Sequence, residues 1–435
     1  MKILVINGSP KGKYSITLQT CNYLKKLHPQ HEWDTLFAGQ QIRSIEKELT
    51  EWMAGDRQTL CPTLQRVQEA DLLLFSYPVY TCLVPAQLHR FIELLKLSGV
   101  DLRGHCATQL CTSRHFYDVT ALRFMEDNAA DLGLRMLDPL SADMEDLQKP
   151  VGQLQARQWW QLIEWKMAGM PAVQPSQKRV IIVADLAPDD EELAQKISSF
   201  RALLPYETEL FNIRDFKFTS GCICCFNCSK GGKCSMPDGF DTYLREQIQL
   251  KHDSIVYAFR IKDHSMGSLF KLYDDRQFCN GHRTVTHGMP QAYIVAGDLS
   301  REENLRTLLI SKGEIGGNYL AGIMTDQASL EVGAKQLVWA LETRYTKPST
   351  FYGVGGMKIF RDLIWHMRGL MRADHKYFRE HELYDFPQKE WKASLFTYLI
   401  GFMMSNKKVR RMMGNRISEG MIAPYQKVID EARPE

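Results

Sequence analysis

The chain has 435 residues, too many for one typical hydrophobic core at 44% hydrophobic content, so we expect two domains and an extension. The formal net charge is only +3 and the basic residues are dispersed, which argues against a nucleic-acid partner. The longest apolar run, around residues 393–404, is shorter than the about 20 residues that a membrane-spanning helix needs.

The first predicted strand, at residues 3–6, is followed by a loop of small and basic residues that leads into a helical pattern. A strand, a small-residue turn and a helix N-terminus together direct unpaired backbone N–H groups at one point, which suits a phosphate. No acidic residue occurs before Glu32. The loop adds hydroxyl groups and positive charge through Ser9, Lys11, Lys13, Ser15 and Thr17.

A second motif, Ser76-Tyr77-Pro78-Val79-Tyr80, ends the strand predicted at residues 71–75. In an open parallel sheet, ligands bind outside the carboxyl ends of the strands where the winding reverses, so both motifs should line one crevice. A turn of this type presents backbone groups to a flat heterocycle, and Tyr80 is available to stack on it.

The second half of the chain repeats the pattern of the first. Strands predicted at residues 180–183, 253–257 and 291–296 follow their counterparts at a spacing of about 180 residues. The alternation of strands and helices predicts two tandem doubly wound parallel α/β domains, at 1–170 and 178–346, with a linker near 167–178. In the second copy, the acidic stretch Ala184 to Glu192 stands where the phosphate loop should be, and it would repel a phosphate dianion.

Five of the 11 cysteines lie in one loop of the second half. Four of them form a C-x2-C-x2-C-x5-C pattern that suits a compact iron-sulfur cluster, and they are Cys222, Cys225, Cys228 and Cys234. Structural zinc is less favoured because its two C-x2-C pairs usually flank a longer loop, and reduced spare thiols are the other alternative. The chain shows no signal peptide before its first strand, so we expect a reducing, cytoplasmic compartment instead of disulfides.

Residues 347–435 are predicted to form a helical C-terminal extension. We expect a chain reversal at Phe351 to Met357, since no buried strand precedes these glycines. The helical pattern from Trp391 to Met404 suits packing against a domain or a second subunit, with a peripheral membrane role as the alternative.

The Gly8 to Thr17 loop and the Tyr77 to Tyr80 turn resemble the flavin-binding loops of the flavodoxin-like NAD(P)H-dependent FMN reductases. The cysteine loop resembles that of the related iron-sulfur flavoproteins. This resemblance implies a sheet order of 2-1-3-4-5 in each domain. It also implies an FMN site formed by Ser9, Lys11, Ser15, Ile16, Thr17, Tyr77, Pro78, Val79, Tyr80, Thr112, Ser113 and Arg114.

The implied function is hydride acceptance by FMN from NADH or NADPH, with electrons passing through a [4Fe-4S] cluster to a small molecule or a redox protein. No side chain is predicted to be catalytic. Three alternatives stay open: a cluster-free reductase of quinones, nitroaromatics or free flavin, a non-enzymatic electron carrier, and a zinc-binding scaffold without flavin. Homo-oligomerisation also stays open.

Overall fold

The computed structural model describes residues 1–169, 175–386, 391–405 and 416–435. The chain divides into two compact units: Met1–Pro171 with Phe386–Glu435, and Ala172–Asp385. Part of the predicted linker, residues 170–174, lies outside the described residues.

Each unit contains one parallel sheet. The strands of the first unit are β1 (Lys2–Asn7), β2 (Glu32–Leu36), β3 (Leu72–Pro78), β4 (Cys106–Ser113), β5 (Arg135–Met136) and β6 (Leu140–Asp143). Those of the second unit are β7 (Arg179–Ala184), β8 (Glu207–Asn212), β9 (Ser254–Arg260), β10 (Gln291–Ala296) and β11 (Leu320–Met324). The orders are β2-β1-β3-β4-β5, with β6 beside β4, and β8-β7-β9-β10-β11. The predicted doubly wound fold is therefore confirmed in both units.

Helices cover the sheets and form the C-terminal region. They are α1 (Ile16–Leu27), α2 (Ala38–Ala54), α3 (Pro62–Glu69), α4 (Ala86–Ser98), α5 (Asp118–Asp131), α6 (Pro150–Ala168), α7 (Glu191–Leu203), α8 (Asn227–Gly231), α9 (Phe240–Tyr243), α10 (Ser268–Arg276), α11 (Glu303–Ile315), α12 (Gln327–Thr343), α13 (Phe351–His366), α14 (Arg372–Glu380), α15 (Trp391–Ser405) and α16 (Arg416–Glu431). None of the helices in the described part of the chain is long and apolar enough to cross a membrane.

The central strands are buried on both faces, as their continuous apolar sequences predict. In β1, Leu4 and Ile6 join one core cluster while Ile3 and Val5 join another, because successive strand side chains point to opposite faces. Full burial of each such side chain contributes about 1.5–3 kcal/mol. The two core clusters, one on each face of the sheet, fix the carboxyl ends of β1, β3 and β4 beside one another.

The predicted chain reversal at Phe351 to Met357 is wrong, because these residues begin the long helix α13. Tertiary packing explains the difference. The side chain of Glu314 accepts from the backbone amides of Thr350 and Gly353, which fixes the start of the helix. A Cβ at Gly356 would lie 2.7 Å from Ile315, so the glycines permit close packing of α13 on α11.

The last helix, α16, belongs to the first unit and packs against α1. The buried Tyr425 donates from its hydroxyl group to the carbonyl of Met144 at 2.6 Å. Gln426 donates to the side chain of Gln19 at 2.5 Å. The end of the chain thus supports the helix that follows the first loop.

Candidate cofactor sites

The loop between β1 and α1 is held by its own polar side chains. Asn7, fully buried, accepts from the amide of Ser9 at 3.1 Å and donates to the carbonyl of Gly12 at 3.0 Å. Gly12 has a φ of +55°, a conformation that glycine adopts without strain. Asn7 is therefore a positioning residue that the sequence pattern did not reveal.

The first backbone N–H groups of α1 lie next to this loop. The first turn of a helix leaves backbone N–H groups without intrahelical partners, and no acidic residue occurs in the first turn of α1. Ser15 is the N-cap and its hydroxyl oxygen accepts from the amide of Leu18 at 3.5 Å. The hydroxyl oxygens of Thr17 and Thr112 lie 2.6 Å apart, which ties this helix to the end of β4.

After β3, the chain makes a tight turn at Thr81 and Cys82. Tyr80 and Leu83 exchange backbone hydrogen bonds of 2.7 and 3.0 Å around the turn. Thr81 and Cys82 both have positive φ, 49° and 66°, which non-glycine residues adopt at a cost of about 1–3 kcal/mol each. The amide of Val79 donates to the carbonyl of Thr112 at 3.1 Å, so the turn is fixed against β4.

A cavity of about 220 Å³ opens where these three segments meet. Eleven of the twelve residues predicted for the FMN site line it: Ser9, Lys11, Ser15, Ile16, Thr17, Pro78, Val79, Tyr80, Thr112, Ser113 and Arg114. Sequence reasoning missed four further lining residues, which are Thr81, Cys82, Phe116 and Met144. Of the described residues that line the cavity, none is a carboxylate.

Tyr77, the twelfth predicted residue, does not line the cavity with its side chain. It is fully buried and donates from its hydroxyl group to Gln109 at 2.6 Å. Burial raises the pKa of Tyr77 well above its usual value. The alternation of side chains along β3 directs Tyr77 into the core cluster that includes Phe75, and this alternation was the available signal.

The two predicted cations at the cavity differ in their charge environment. Arg114 forms ion pairs with Asp143 at 3.0 Å and with Glu145 at 2.6 Å, and the hydrogen bond that Arg114 donates to Glu145 raises the pKa of Arg114. Lys11 is exposed at the loop. A donor set of helix amides, hydroxyl groups and Lys11, beside an exposed Tyr80 ring, fits a phosphate attached to a flat heterocycle.

In the second unit, a pair of charged side chains lies at the N-terminus of α7, the helix that follows the first strand of that unit. Asp190 is the N-cap of α7, as Ser15 is of α1, and accepts from the amide of Leu193 at 3.1 Å. Arg260, at the end of β9, donates to both carboxylate oxygens of Asp190 at 2.6 and 2.8 Å and to Glu192 at 2.8 Å. These bonds hold the pKa of Asp190 below its usual value.

The turn after the third strand is nevertheless the same in both units. Asp263 and His264 have φ values of 49° and 59°, and Lys262 and Ser265 exchange backbone hydrogen bonds of 2.9 Å around them. The two units therefore share the backbone of this turn and differ in the side chains beside it.

The cysteine loop lies between β8 and β9, where the first unit has α2 and α3. Its anchor is Arg276, which is almost fully buried. The guanidinium donates to the carbonyl of Ser220 at 2.9 Å and to both oxygens of Asp238 at 2.6 and 2.7 Å. The hydrogen bonds from Arg276 lower the pKa of Asp238 well below its usual range.

A second cavity of about 220 Å³ is bordered by this loop. The thiols that line it are Cys222, Cys224, Cys225, Cys228, Cys234 and Cys279. Ser235 lies 3.0 Å from the sulfur of Cys225 and its hydrogen bond lowers the pKa of that exposed thiol, whereas burial raises the pKa of Cys228. Burial raises the pKa of Cys279 to about 12. The described residues contain no set of three or more His, Cys, Asp or Glu that converges on one metal ion.

Residues 1–116 match the family model of the NADPH-dependent FMN reductases. No curated protein matches the chain. Among solved structures, the NAD(P)H:quinone oxidoreductase of Methanothermobacter marburgensis is 16% identical with a TM-score of 0.29, and covers 38% of this chain and 96% of its own. An FMN-dependent NADH-azoreductase of Bacillus anthracis in complex with FMN is 13% identical with a TM-score of 0.26. This match covers 38% of the present chain and 100% of the azoreductase chain.

Proposed function

We propose that this chain, whose first 116 residues match the NADPH-dependent FMN reductase family, is an oxidoreductase that binds FMN in its first unit and uses NAD(P)H as reductant. The observation that carries the proposal is the meeting of eleven predicted residues from three separate loops around one cavity. Bound FMN would supply two-electron acceptance from a nicotinamide and release of electrons one or two at a time.

The chain's own residues would bind and orient this cofactor. The amides at the start of α1, the hydroxyl groups of Ser15 and Thr17, and Lys11 would hold the phosphate. Pro78 to Tyr80 and the strained turn after them would border the isoalloxazine, with Tyr80 exposed for stacking. We assign no proton-transferring side chain, because hydride transfer between the two cofactors needs no acid or base. It requires that the protein hold the two rings in the correct relative position.

We further propose that the cysteine cavity of the second unit holds an iron-sulfur cluster through Cys222, Cys225, Cys228 and Cys234. Support comes from the four thiols bordering one cavity and from the hydrogen bond that favours the thiolate of Cys225. Such a cluster would supply one-electron transfer to the acceptor. A quinone, a nitroaromatic compound, free flavin or a redox protein could be this acceptor.

The test is one anaerobic preparation, measured by absorption before and after addition of NADPH, with iron and sulfide determined on the same sample. We expect a flavin spectrum that bleaches with NADPH, and iron and sulfide that disappear in Cys222→Ser and Cys225→Ser proteins. Cys61→Ser, in the first unit, is the matched control.

The outcomes separate the two parts of the proposal. Flavin that bleaches in a protein without iron would favour the cluster-free reductase. Flavin that NADPH does not reduce would favour an electron carrier. Zinc in the loop together with absent flavin would overturn the whole proposal.

A further inference from the structure

The second unit contains a third cavity, of about 410 Å³, on one face of its sheet. Its floor includes Tyr257 of β9 and Tyr293 of β10, which are paired in the sheet and whose ring centroids lie 5.4 Å apart. Residues of α10 and α11 form two of its walls. Gln291, the first residue of β10, also lines it, so the cavity reaches the amino end of the strand, away from the crevice. Volumes of about 300–1,000 Å³ are typical of small-molecule sites.

Two buried glutamine side chains line this cavity and have no hydrogen-bond partner in the described part of the chain. Gln291 is 5% exposed and Gln249 is 9% exposed. Each carboxamide offers two N–H donors and one carbonyl acceptor. Buried polar groups are as a rule paired, because an unpaired one destabilises the folded chain. Two such groups beside one cavity therefore indicate a partner from outside the chain.

The floor of the cavity adds two hydroxyl donors. Burial raises the pKa of both Tyr257 and Tyr293 above the usual value, so both hydroxyl groups stay protonated at neutral pH. Among the described residues, neither hydroxyl group has a hydrogen-bond partner. Leu308, Ile315 and Phe360 complete the lining with apolar surface. The cavity thus combines donors and acceptors with aromatic and apolar walls, which suits a planar heterocycle.

Each lysine and arginine that lines the cavity already has a carboxylate partner. The pairs are Lys312 with Asp274, Lys271 with Asp275, and Arg283 with Asp374. The lining therefore offers no surplus positive charge to a phosphate or a carboxylate. A neutral ligand fits this balance better than an anion.

The wall formed by residues 280–286 is fixed by α14. The fully buried Asp374 accepts from the backbone amide of His282 at 3.1 Å. The hydroxyl group of Tyr377 donates to the carbonyl of Thr284 at 3.0 Å. A Cβ at Gly281 would lie 2.3 Å from the carboxylate of Asp374, which shows how closely the two segments pack. Because the wall is already ordered, a ligand would not have to order it on binding.

We propose that this cavity binds a neutral planar heterocycle of the nucleobase class, with neighbouring hydrogen-bond donors and acceptors on its edge. The carboxamides of Gln249 and Gln291 would pair with that edge, in the way that a carboxamide pairs with the edge of adenine. The hydroxyl groups of Tyr257 and Tyr293 would donate to its ring nitrogens or carbonyl groups. This inference does not depend on FMN or on the cysteine loop.

The experiment is isothermal titration calorimetry of the full chain with adenosine, inosine, cytidine and uridine, with and without FMN. We expect at least one nucleoside to bind at one site per chain, with the same affinity in both conditions, since the cavity belongs to the second unit. Gln249→Leu with Gln291→Leu should weaken this binding at least about tenfold, because its hydrogen bonds are lost. The matched control is Gln327→Leu, at an exposed position of α12, which should leave the affinity unchanged.

A second variant keeps the packing of the floor. Tyr293→Phe removes only a hydroxyl group that lacks a partner among the described residues, so thermal unfolding should be unchanged while nucleoside affinity falls at least about threefold. Tyr206→Phe, which removes a hydrogen bond of 2.7 Å to Glu342, should show the opposite pattern.

Three outcomes would overturn the proposal. The first is no binding of any of the four nucleosides. The second is equal binding by wild type, the double glutamine variant and Tyr293→Phe. The third is binding of benzoate that is tighter than that of every nucleoside, because the cavity would then select an anion.

Discussion

The two units share a backbone plan but differ in the side chains that occupy the same positions. Each has the strand order 2-1-3-4-5 and a turn with two non-glycine residues of positive φ after its third strand. At the N-cap of the first helix, however, one unit has Ser15 and the other has Asp190 paired with Arg260. The fold supplies the crevice in both units, and on our proposal the side chains at the helix N-terminus determine whether an anion can bind there.

The segment between the second and third strands also differs between the two units. The first unit fills it with α2 and α3, and Gly39 at the start of α2 lies against the carbonyl of Gly8. The second unit fills it with the cysteine loop that Arg276 anchors. Each unit therefore supports one of the two candidate cofactor sites.

The largest effect is expected when the first unit is given the N-cap of the second. Ser15→Asp keeps a good N-cap residue but places a carboxylate beside the proposed phosphate site. At an effective dielectric constant of about 20, this repulsion amounts to about 4 kcal/mol, so FMN should bind about 1000-fold more weakly. Titration with FMN, followed by flavin fluorescence, measures the change.

Ser15→Asn is the matched control for that substitution, since asparagine also caps helices but is neutral. Its FMN affinity should stay within about tenfold of wild type. Equal affinities of the Asp and Asn variants would show that no phosphate binds at α1.

A large effect on stability is expected in the second unit from Asp238→Asn. The change leaves the buried Arg276 without its charged partner, which should lower the free energy of unfolding by about 3 kcal/mol. Urea denaturation at neutral pH measures this loss. Asp275→Asn, on an exposed ion pair of α10, is the control and should cost less than about 1 kcal/mol.

The ion pair between Asp238 and Arg276 also predicts how the stability of the protein depends on pH. The folded-state pKa of Asp238 is depressed, so its contribution is fully present above the unfolded value of about 3.9 and is lost as the pH falls through the folded pKa. Wild type and Asp238→Asn should therefore approach each other in stability below about pH 4. A difference that stays constant down to low pH would contradict the assignment.

A moderate effect is expected at the contact between α2 and the first loop. A Cβ at Gly39 would lie 2.3 Å from the carbonyl oxygen of Gly8, a backbone atom that cannot rotate away. Gly39→Ala should cost about 2 kcal/mol of stability and weaken FMN binding. Gly55→Ala, at the other end of α2, places its Cβ at 3.5 Å or more from its neighbours and should be nearly neutral.

The smallest effect is expected at α16. Tyr425→Phe removes the hydrogen bond to the carbonyl of Met144, a residue that lines the first cavity, and should cost about 1 kcal/mol. Thermal unfolding of the variant beside Tyr398→Phe, at an exposed position, measures the difference. Equal stabilities would mean that α16 does not support the first unit.

Much of this arrangement could be predicted from the sequence, because parallel strands carry strong local signals. Continuous apolar runs identify β1 and β7, and the carboxyl ends of such strands meet at one edge of a sheet. That topological rule predicted one crevice for the loop with Ser9 and the turn with Tyr80, whereas Thr112 was implied by the family resemblance. The acidic loop before α7 likewise predicted that the second unit lacks an anion site.

The features that could not be predicted from the sequence depend on contacts between distant residues. The turn at Thr81 and Cys82 contains no glycine, so its positive φ values left no sequence signal. The glycines of α13 suggested a chain reversal, but their role is close packing on α11. The return of α16 to the first unit depends on Tyr425 and Gln426, whose partners lie hundreds of residues away.

The most direct test of the difference between the units is the number of FMN molecules that one chain binds at saturation. We expect one FMN per chain in wild type, none in Ser15→Asp at the same concentration, and one in a protein with Arg260→Ala in the second unit. Two FMN molecules per wild-type chain, or one that survives Ser15→Asp and is lost with Arg260→Ala, would contradict the account.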